Sequence, residues 1–156
     1  MLVTQQPVLR RFWYPVMPLA ALAEGPRPFR LLGEDIVLWL AEDGAPAALR
    51  DRCCHRTAKL SQGFYCEGRL ACGYHGWEYD ADGAVVRIPQ RPAADQDRPT
   101  GLKVEAFRAE ARYGYVWVAL AEPLHDIPDL PEASEPGFRQ IHEFYEVWKS
   151  AGLRIM

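Results

Sequence analysis

Short apolar runs separated by turn residues, rather than long helical periods, organise this chain. Val8 to Tyr14 is apolar and aromatic apart from Arg10 and Arg11, and Pro15 and Pro18 close it, which predicts a strand running into an ordered turn. Glu24 to Pro28 reads as a loop. Phe29 to Leu32 and Ile36 to Leu40, rich in β-branched and aromatic residues, predict a hairpin turning at Gly33-Glu34-Asp35. Asp43-Gly44 marks the next turn, and Pro46 to Leu49 predicts a strand. Asp82-Gly83, between Tyr79 and Val85-Val86, predicts a second hairpin. Pro89 to Thr100 reads as an exposed loop. Leu102, Val104 and Ala106 alternate with Lys103, Glu105 and Phe107, and Tyr113 to Leu120 is a compact apolar run, so both predict strands. The architecture expected is mostly β.

The composition changes after residue 121. Pro123, Pro128, Pro131 and Pro136 arrive among acidic residues with little aliphatic material, which predicts a linker or wrapped extension over 122–137. Residues 138–156 regain apolar and aromatic positions, among them Ile141, Phe144, Tyr145, Val147 and Trp148, and then stop. The expectation is one domain over residues 1–121, the linker, and the opening of a truncated further domain.

Length and charge narrow the classes. A chain of 156 residues buries roughly 68–70% of its unfolded surface and forms a core without disulfide staples. A net charge of −3 gives no basic field for nucleic acid. No apolar run is long enough for a membrane helix; even Tyr113 to Ala121 is short and interrupted by Gly114. Arg10-Arg11-Phe12 ahead of the apolar Pro15 to Ala23 looks superficially like a twin-arginine export signal, but two prolines in that run argue against a helical signal core, and a folded, cytoplasmic N-terminal segment is expected. Four cysteines are too few for a disulfide scaffold of this length and suit a reducing compartment.

The chemistry concentrates between Arg50 and Asp80. Cys53 and His55 are spaced C-x-H, Cys72 and His75 are spaced C-x-x-H, and sixteen residues separate the pairs. Two Cys and two His also suit a tetrahedral structural zinc ion, but C-x-H is tighter than the spacers usual for zinc ligands. The same four residues suit an iron-sulfur centre in which thiolates stabilise ferric iron and neutral imidazoles donate without adding negative charge. Glycines at 63, 73 and 76 suit loops whose backbone passes close to sulfides. Cys54, in the x of C-x-H, is expected to point away from the centre, and Cys66 to pack. His125 and His142, beside Asp126 and Glu143, read as ordinary surface or packing residues.

This pattern resembles the Rieske iron-sulfur motif, in which two Cys hold one iron of a [2Fe-2S] cluster and two His the other. The resemblance implies that Cys53 and Cys72 bind one iron and His55 and His75 the other. It also implies an all-β Rieske fold, an antiparallel β-sandwich or barrel base with a cluster-binding subdomain of two ligand loops at about 50–88. Respiratory Rieske proteins tie their loops with a disulfide and carry a Ser after the second His-Gly; here the corresponding positions are Ala58, Tyr74 and Trp77. Both departures point to the lower-potential class.

Within that class, Trp13-Tyr14-Pro15, Asp51-Arg52-Cys53-Cys54-His55-Arg56, Cys72 to Trp77, and Asp82-Gly83 leading to Ile88-Pro89-Gln90 are similar to the N-terminal domain of Rieske non-haem iron oxygenase α subunits, aromatic-ring-hydroxylating mono- and dioxygenases among them. Tyr145 to Lys149 resembles the opening of their catalytic domain. One departure is Thr57, where the family usually has Gly, which puts the loop's conformation in question. The resemblance implies a one-electron relay filled by a reductase or ferredoxin. It feeds a mononuclear Fe(II) in the catalytic domain of the same or a neighbouring subunit, in a homotrimer when full length. The 156-residue chain alone is then not expected to oxygenate anything. The alternative is a free-standing Rieske-type ferredoxin.

Overall fold

The computed structural model describes residues 5–97 and 100–141. In chain order its strands are β1 (Tyr14–Pro18), β2 (Arg27–Leu31), β3 (Glu34–Leu40), β4 (Pro46–Arg50), β5 (Phe64–Cys66), β6 (Arg69–Ala71), β7 (Glu78–Tyr79), β8 (Val85–Arg87), β9 (Ala106–Arg112) and β10 (Tyr115–Ala119). They form two antiparallel sheets, one of six strands in the order β1-β10-β9-β4-β3-β2 and one of four in the order β5-β6-β7-β8. Among the described residues the fold is nearly all β, with only short 3-10 turns besides the strands. It is the two-part arrangement expected of a Rieske fold.

β3 explains how the parts join. Ile36, Val37, Leu38 and Trp39 are all fully buried, because successive side chains leave a strand on opposite faces and both faces of this one are covered. Ile36 and Leu38 enter a core with Val16, Met17, Phe107, Val116 and Val118. Val37 and Trp39 enter a second core with Leu49, Leu60, Leu70, Tyr79 and Ile88, which also contains Cys53 and Cys72. Burying each large side chain contributes about 1.5–3 kcal/mol, so the second core both fuses the small sheet to the large one and seats the two cysteines. The Trp39 indole N–H adds a long hydrogen bond, 3.4 Å, to the Gly68 carbonyl in the β5–β6 turn.

The turns follow local chemistry. The β2–β3 hairpin turns at Leu32-Gly33, both with positive φ, a two-residue loop tighter than the expected Gly33-Glu34-Asp35. β7 and β8 pair across the Asp82-Gly83 turn as expected.

Three expectations change. Val8 to Tyr14 is not a strand: Pro7–Arg11 is a 3-10 helix, and the strand starts at Tyr14 and carries Pro15 and Pro18 within it. β1 pairs only with β10, so it is an edge strand, where a missing N–H costs no ladder bond. Arg27 and Pro28, read as loop, open β2. Residues 102–105 precede β9 and touch the small sheet through a single bridge, Ala84 with Lys103.

After β10 the chain lies along the large sheet. The Ala121 and Leu124 amides donate to the Arg10 and Arg11 carbonyls, Arg112 bonds the Ile127 carbonyl and the Asp129 carboxylate, and Ile127 is buried. Phe138 and Ile141 are exposed; His142 and the apolar positions from Phe144 to Trp148 lie outside the described residues. Among the described residues no helix is long and apolar enough to cross a membrane.

Candidate metal centre

The two ligand segments fold into the same loop. In the first, the Cys53 carbonyl accepts from the Thr57 amide at 2.9 Å, and the Cys53 amide donates to the Ala58 carbonyl at 2.8 Å. In the second, the Cys72 carbonyl accepts from Gly76 at 2.8 Å, and the Cys72 amide donates to the Trp77 carbonyl at 2.9 Å. Each loop reverses at the fourth residue after its cysteine, where φ is +57° at Thr57 and +69° at Gly76. Thr57 therefore takes the conformation that glycine takes in the partner loop, at the steric cost of a β-branched side chain with positive φ.

This shared geometry delivers two thiols and two imidazoles to one end of the molecule. Cys53 and Cys72 are buried in the second core, while His55 is exposed and His75 half-buried. The His55 and His75 rings stand 4.7 Å apart between centroids, at 62°. Burial pushes the Cys72 thiol up, and Cys53 beside it pushes the same way; the backbone amides of Tyr74 and His75, bonded to the Cys72 sulfur, pull it down. Lost hydration and the neighbouring His75 and Arg56 hold His55 below its ordinary value of 6.5. Among the described residues no three His, Cys, Asp or Glu side chains gather closely enough to hold a single metal ion. The two sulfurs are buried and the two imidazoles lie toward the surface, a donor set of two thiols and two imidazoles.

The remaining cysteines are free, as are Cys53 and Cys72. Cys54 is exposed, and its sulfur lies 3.4 Å from the Tyr79 hydroxyl. Cys66 is half-buried on β5. His125 is exposed in the segment after β10.

Two of the three glycines are required by close approach of protein backbone. A Cβ on Gly63 would stand 2.0 Å from the Ala71 carbonyl oxygen, and one on Gly73 would stand 2.7 Å from the Gln62 carbonyl oxygen. Gly63, closing the 3-10 turn Leu60–Gln62, thus lets that backbone pass against Ala71 at the end of β6, and Gly73 lets the second loop pass against Gln62. Only Gly76 is required by its φ.

Several residues support the loops without being candidate ligands. Tyr79, fully buried on β7, places its hydroxyl 3.0 Å from the Cys53 sulfur and accepts the Cys54 amide at 3.3 Å. Asp51, also buried, closes the first loop by accepting from both the amide and the hydroxyl of Ser61 at 2.7 Å. Glu78 is buried between Arg69 and Arg87, at 3.0 and 2.7 Å. Its neighbours remain part-exposed, so the pair of ion bonds anchors β7 without stranding a charge.

Residues 12–108 match the Rieske [2Fe-2S] domain family. The chain is 36% identical over 154 residues to methylxanthine N1-demethylase NdmA of Pseudomonas putida, covering 94% of this chain and 43% of that protein. It is 35% identical over 165 aligned positions to methylxanthine N3-demethylase NdmB of the same organism, covering 98% and 46%. The solved structure of NdmA superposes with a TM-score of 0.77 at 38% identity, over 85% of this chain and 42% of that one. A structure of dicamba monooxygenase bound to dicamba gives 0.72 at 35% identity, over 84% and 40%. The chain spans less than half the length of each of these relatives.

Proposed function

Since this chain belongs to the Rieske [2Fe-2S] domain family, we propose that Cys53 and Cys72 hold one iron of a [2Fe-2S] cluster, that His55 and His75 hold the other, and that the chain relays single electrons. The observation carrying this reading is the matched pair of loops, which sets two buried thiols under two imidazoles at one end of the fold. Bound there, such a cluster supplies one-electron chemistry at a potential between about −150 and +300 mV.

The chain's own residues do the rest. Burial of both cysteines keeps water from the sulfur side, and the amides of Tyr74 and His75 direct N–H groups at the Cys72 sulfur, which stabilises negative charge there. The two imidazoles lie toward solvent, where an electron can leave or arrive through a ring edge. Ligation needs thiolates and neutral imidazoles, so loading releases protons.

The relatives support a wider role. As residues 1–121 of an oxygenase α subunit, followed by a linker at 122–137 and the opening of a catalytic domain at 138–156, this unit would accept electrons from a reductase or ferredoxin in the cytoplasm. It would pass them to a mononuclear Fe(II) in the catalytic domain of its own or a neighbouring subunit of a homotrimer, for oxidative demethylation or hydroxylation. A free-standing ferredoxin is the less favoured reading, because the proteins named above are two demethylases and a monooxygenase.

Redox titration of the anaerobically loaded chain tests the proposal. A potential in the range given above is expected, and His75→Cys should drop it toward about −400 mV, the value of all-cysteine plant-type clusters. A potential that His75→Cys leaves unmoved would count against imidazole ligation.

A further inference from the structure

Neither ring nitrogen of His55 has a hydrogen-bond partner among the described residues, yet its ring is not loosely placed. The Trp77 indole lies flat on it, with centroids 4.4 Å apart and planes 2° apart. The indole N–H donates to Gln90 Oε1 at 3.2 Å, and Gln90 Nε2 donates to the His75 carbonyl at 2.7 Å. The partners fix which way the carboxamide points, since an indole N–H only donates and a carbonyl only accepts. One side chain therefore ties the backbone of the second histidine to the indole that covers the first.

Gln90 is itself braced. The Gln96 carboxamide donates to the Pro89 and Arg91 carbonyls at 3.0 and 3.2 Å, on either side of Gln90, and accepts from Arg87 at 3.1 Å. Arg87 in turn grips the buried Glu78, next to Trp77 in sequence. The Ile88 amide bonds the Gln96 carbonyl at 2.9 Å, and Ile88 is buried in the second core. The segment carrying Gln90 is thus a fixed strut.

We propose that Gln90 and Trp77 are positioning residues that lock the ring plane of His55 relative to His75, so that the two nitrogen ligands present a single, fixed orientation to the iron. This rests on the reading of His55 and His75 as ligands. Without the indole, an exposed imidazole at a loop tip is free to turn about its outer torsion, which is broad and roughly two-fold. Without Gln90, the indole keeps its stacking partner and loses its anchor.

The test uses the full chain loaded anaerobically with iron and sulfide, in wild type and in Trp77→Leu, Trp77→Phe, Gln90→Leu and Gln90→Glu. Pulsed EPR of the reduced protein reads the hyperfine coupling of each ligating imidazole nitrogen, and a chelator competition reads the rate of cluster loss. Trp77→Leu and Gln90→Leu should broaden or shift one of the two nitrogen couplings and leave the other. They should speed cluster loss about two- to twelvefold, the span of one stacked pair or one net hydrogen bond. Trp77→Phe, which keeps a flat face over His55 but has no N–H for Gln90, should match Gln90→Leu and perturb the coupling less than Trp77→Leu. Gln90→Glu, which keeps an acceptor for the indole but no donor for His75, should fall between Gln90→Leu and wild type. Couplings unchanged in both leucine variants, or both couplings altered alike, would overturn the proposal; if Trp77→Leu fails to load, the two Gln90 variants decide it. A wild type without any nitrogen coupling would overturn the ligand assignment and this proposal together, whereas wild-type couplings that no variant perturbs would overturn this proposal alone.

Discussion

The Tyr79 hydroxyl stands 3.0 Å from the Cys53 sulfur while accepting the Cys54 amide at 3.3 Å. Of the two sulfurs in reach of the phenol proton, Cys53 at 3.0 Å is nearer than Cys54 at 3.4 Å, and a ligating Cys53 thiolate has no proton of its own to give, so the hydroxyl donates to it. Burial and the neighbouring cysteine sulfurs hold the Tyr79 phenol well above its ordinary range, so it stays a donor at any physiological pH. Donation to a ligating thiolate stabilises the more negative, reduced state. Tyr79→Phe should therefore lower the potential by about 20–65 mV, the equivalent of one net hydrogen bond of 0.5–1.5 kcal/mol for a one-electron couple. A redox titration of the variant against wild type reads this. A potential unchanged or raised would mean that the hydroxyl does not serve the sulfur.

Thr57 and Gly76 occupy equivalent places in the two loops, and only one is a glycine. A non-glycine residue in the left-handed region costs about 1–2 kcal/mol, and glycine returns roughly 0.5–1 kcal/mol of that as unfolded-chain entropy. Thr57→Gly should thus raise the stability of the chain by about 0.5–1 kcal/mol without changing the cluster's spectrum. Denaturant unfolding reads the stability change; a destabilised variant would show that the Thr57 side chain contributes more than its backbone costs.

The titrating groups set a pH window for the iron-free chain. His55 is held below 6.5 in the fold, so as pH falls from 6.5 toward its depressed value the unfolded state binds more protons and stability declines. Cys72 and Tyr79 are raised from 9.0 and 10.0, so their contribution is fully present below those values; above pH 9 the unfolded state loses protons first and stability declines again. The expected profile of denaturation midpoint against pH is a plateau between about 6.5 and 9 that falls on both sides. His55→Gln should flatten the acid side, and Tyr79→Phe should delay the alkaline fall. A midpoint that keeps rising from pH 9 to 11 would contradict the assignment.

Much of this site is readable in the chain because ligands are chemically narrow. C-x-H and C-x-x-H admit few interpretations, and Asp82-Gly83 and the apolar run at Ile36 to Leu40 announce a hairpin and a buried strand. The roles of the supporting residues are not readable in the same way, even where Asp51 and Gln90 stand in family-like segments, since Tyr79, Asp51 and Gln90 act through partners 26, 10 and 15 positions away, at Cys53, Ser61 and His75. A single-residue property cannot disclose such a pairing. A glycine reports only that something passes close by; at Gly63 it is the Ala71 carbonyl and at Gly73 the Gln62 carbonyl. Pro15 and Pro18 sit inside β1 rather than ending it because a proline is excluded from a central strand but tolerated at an edge, and edge status is a property of the whole sheet.

The central claim is that two sulfur and two nitrogen ligands of this chain hold a two-iron, two-sulfide cluster that carries one electron. Protein isolated without oxygen and assayed for iron, acid-labile sulfide and reducing equivalents tests it most directly. About two irons, two sulfides and one electron per chain are expected, with all three lost together in Cys53→Ser and Cys72→Ser. Stoichiometric zinc with no sulfide, or an uptake of no electrons by freshly prepared protein, would contradict it.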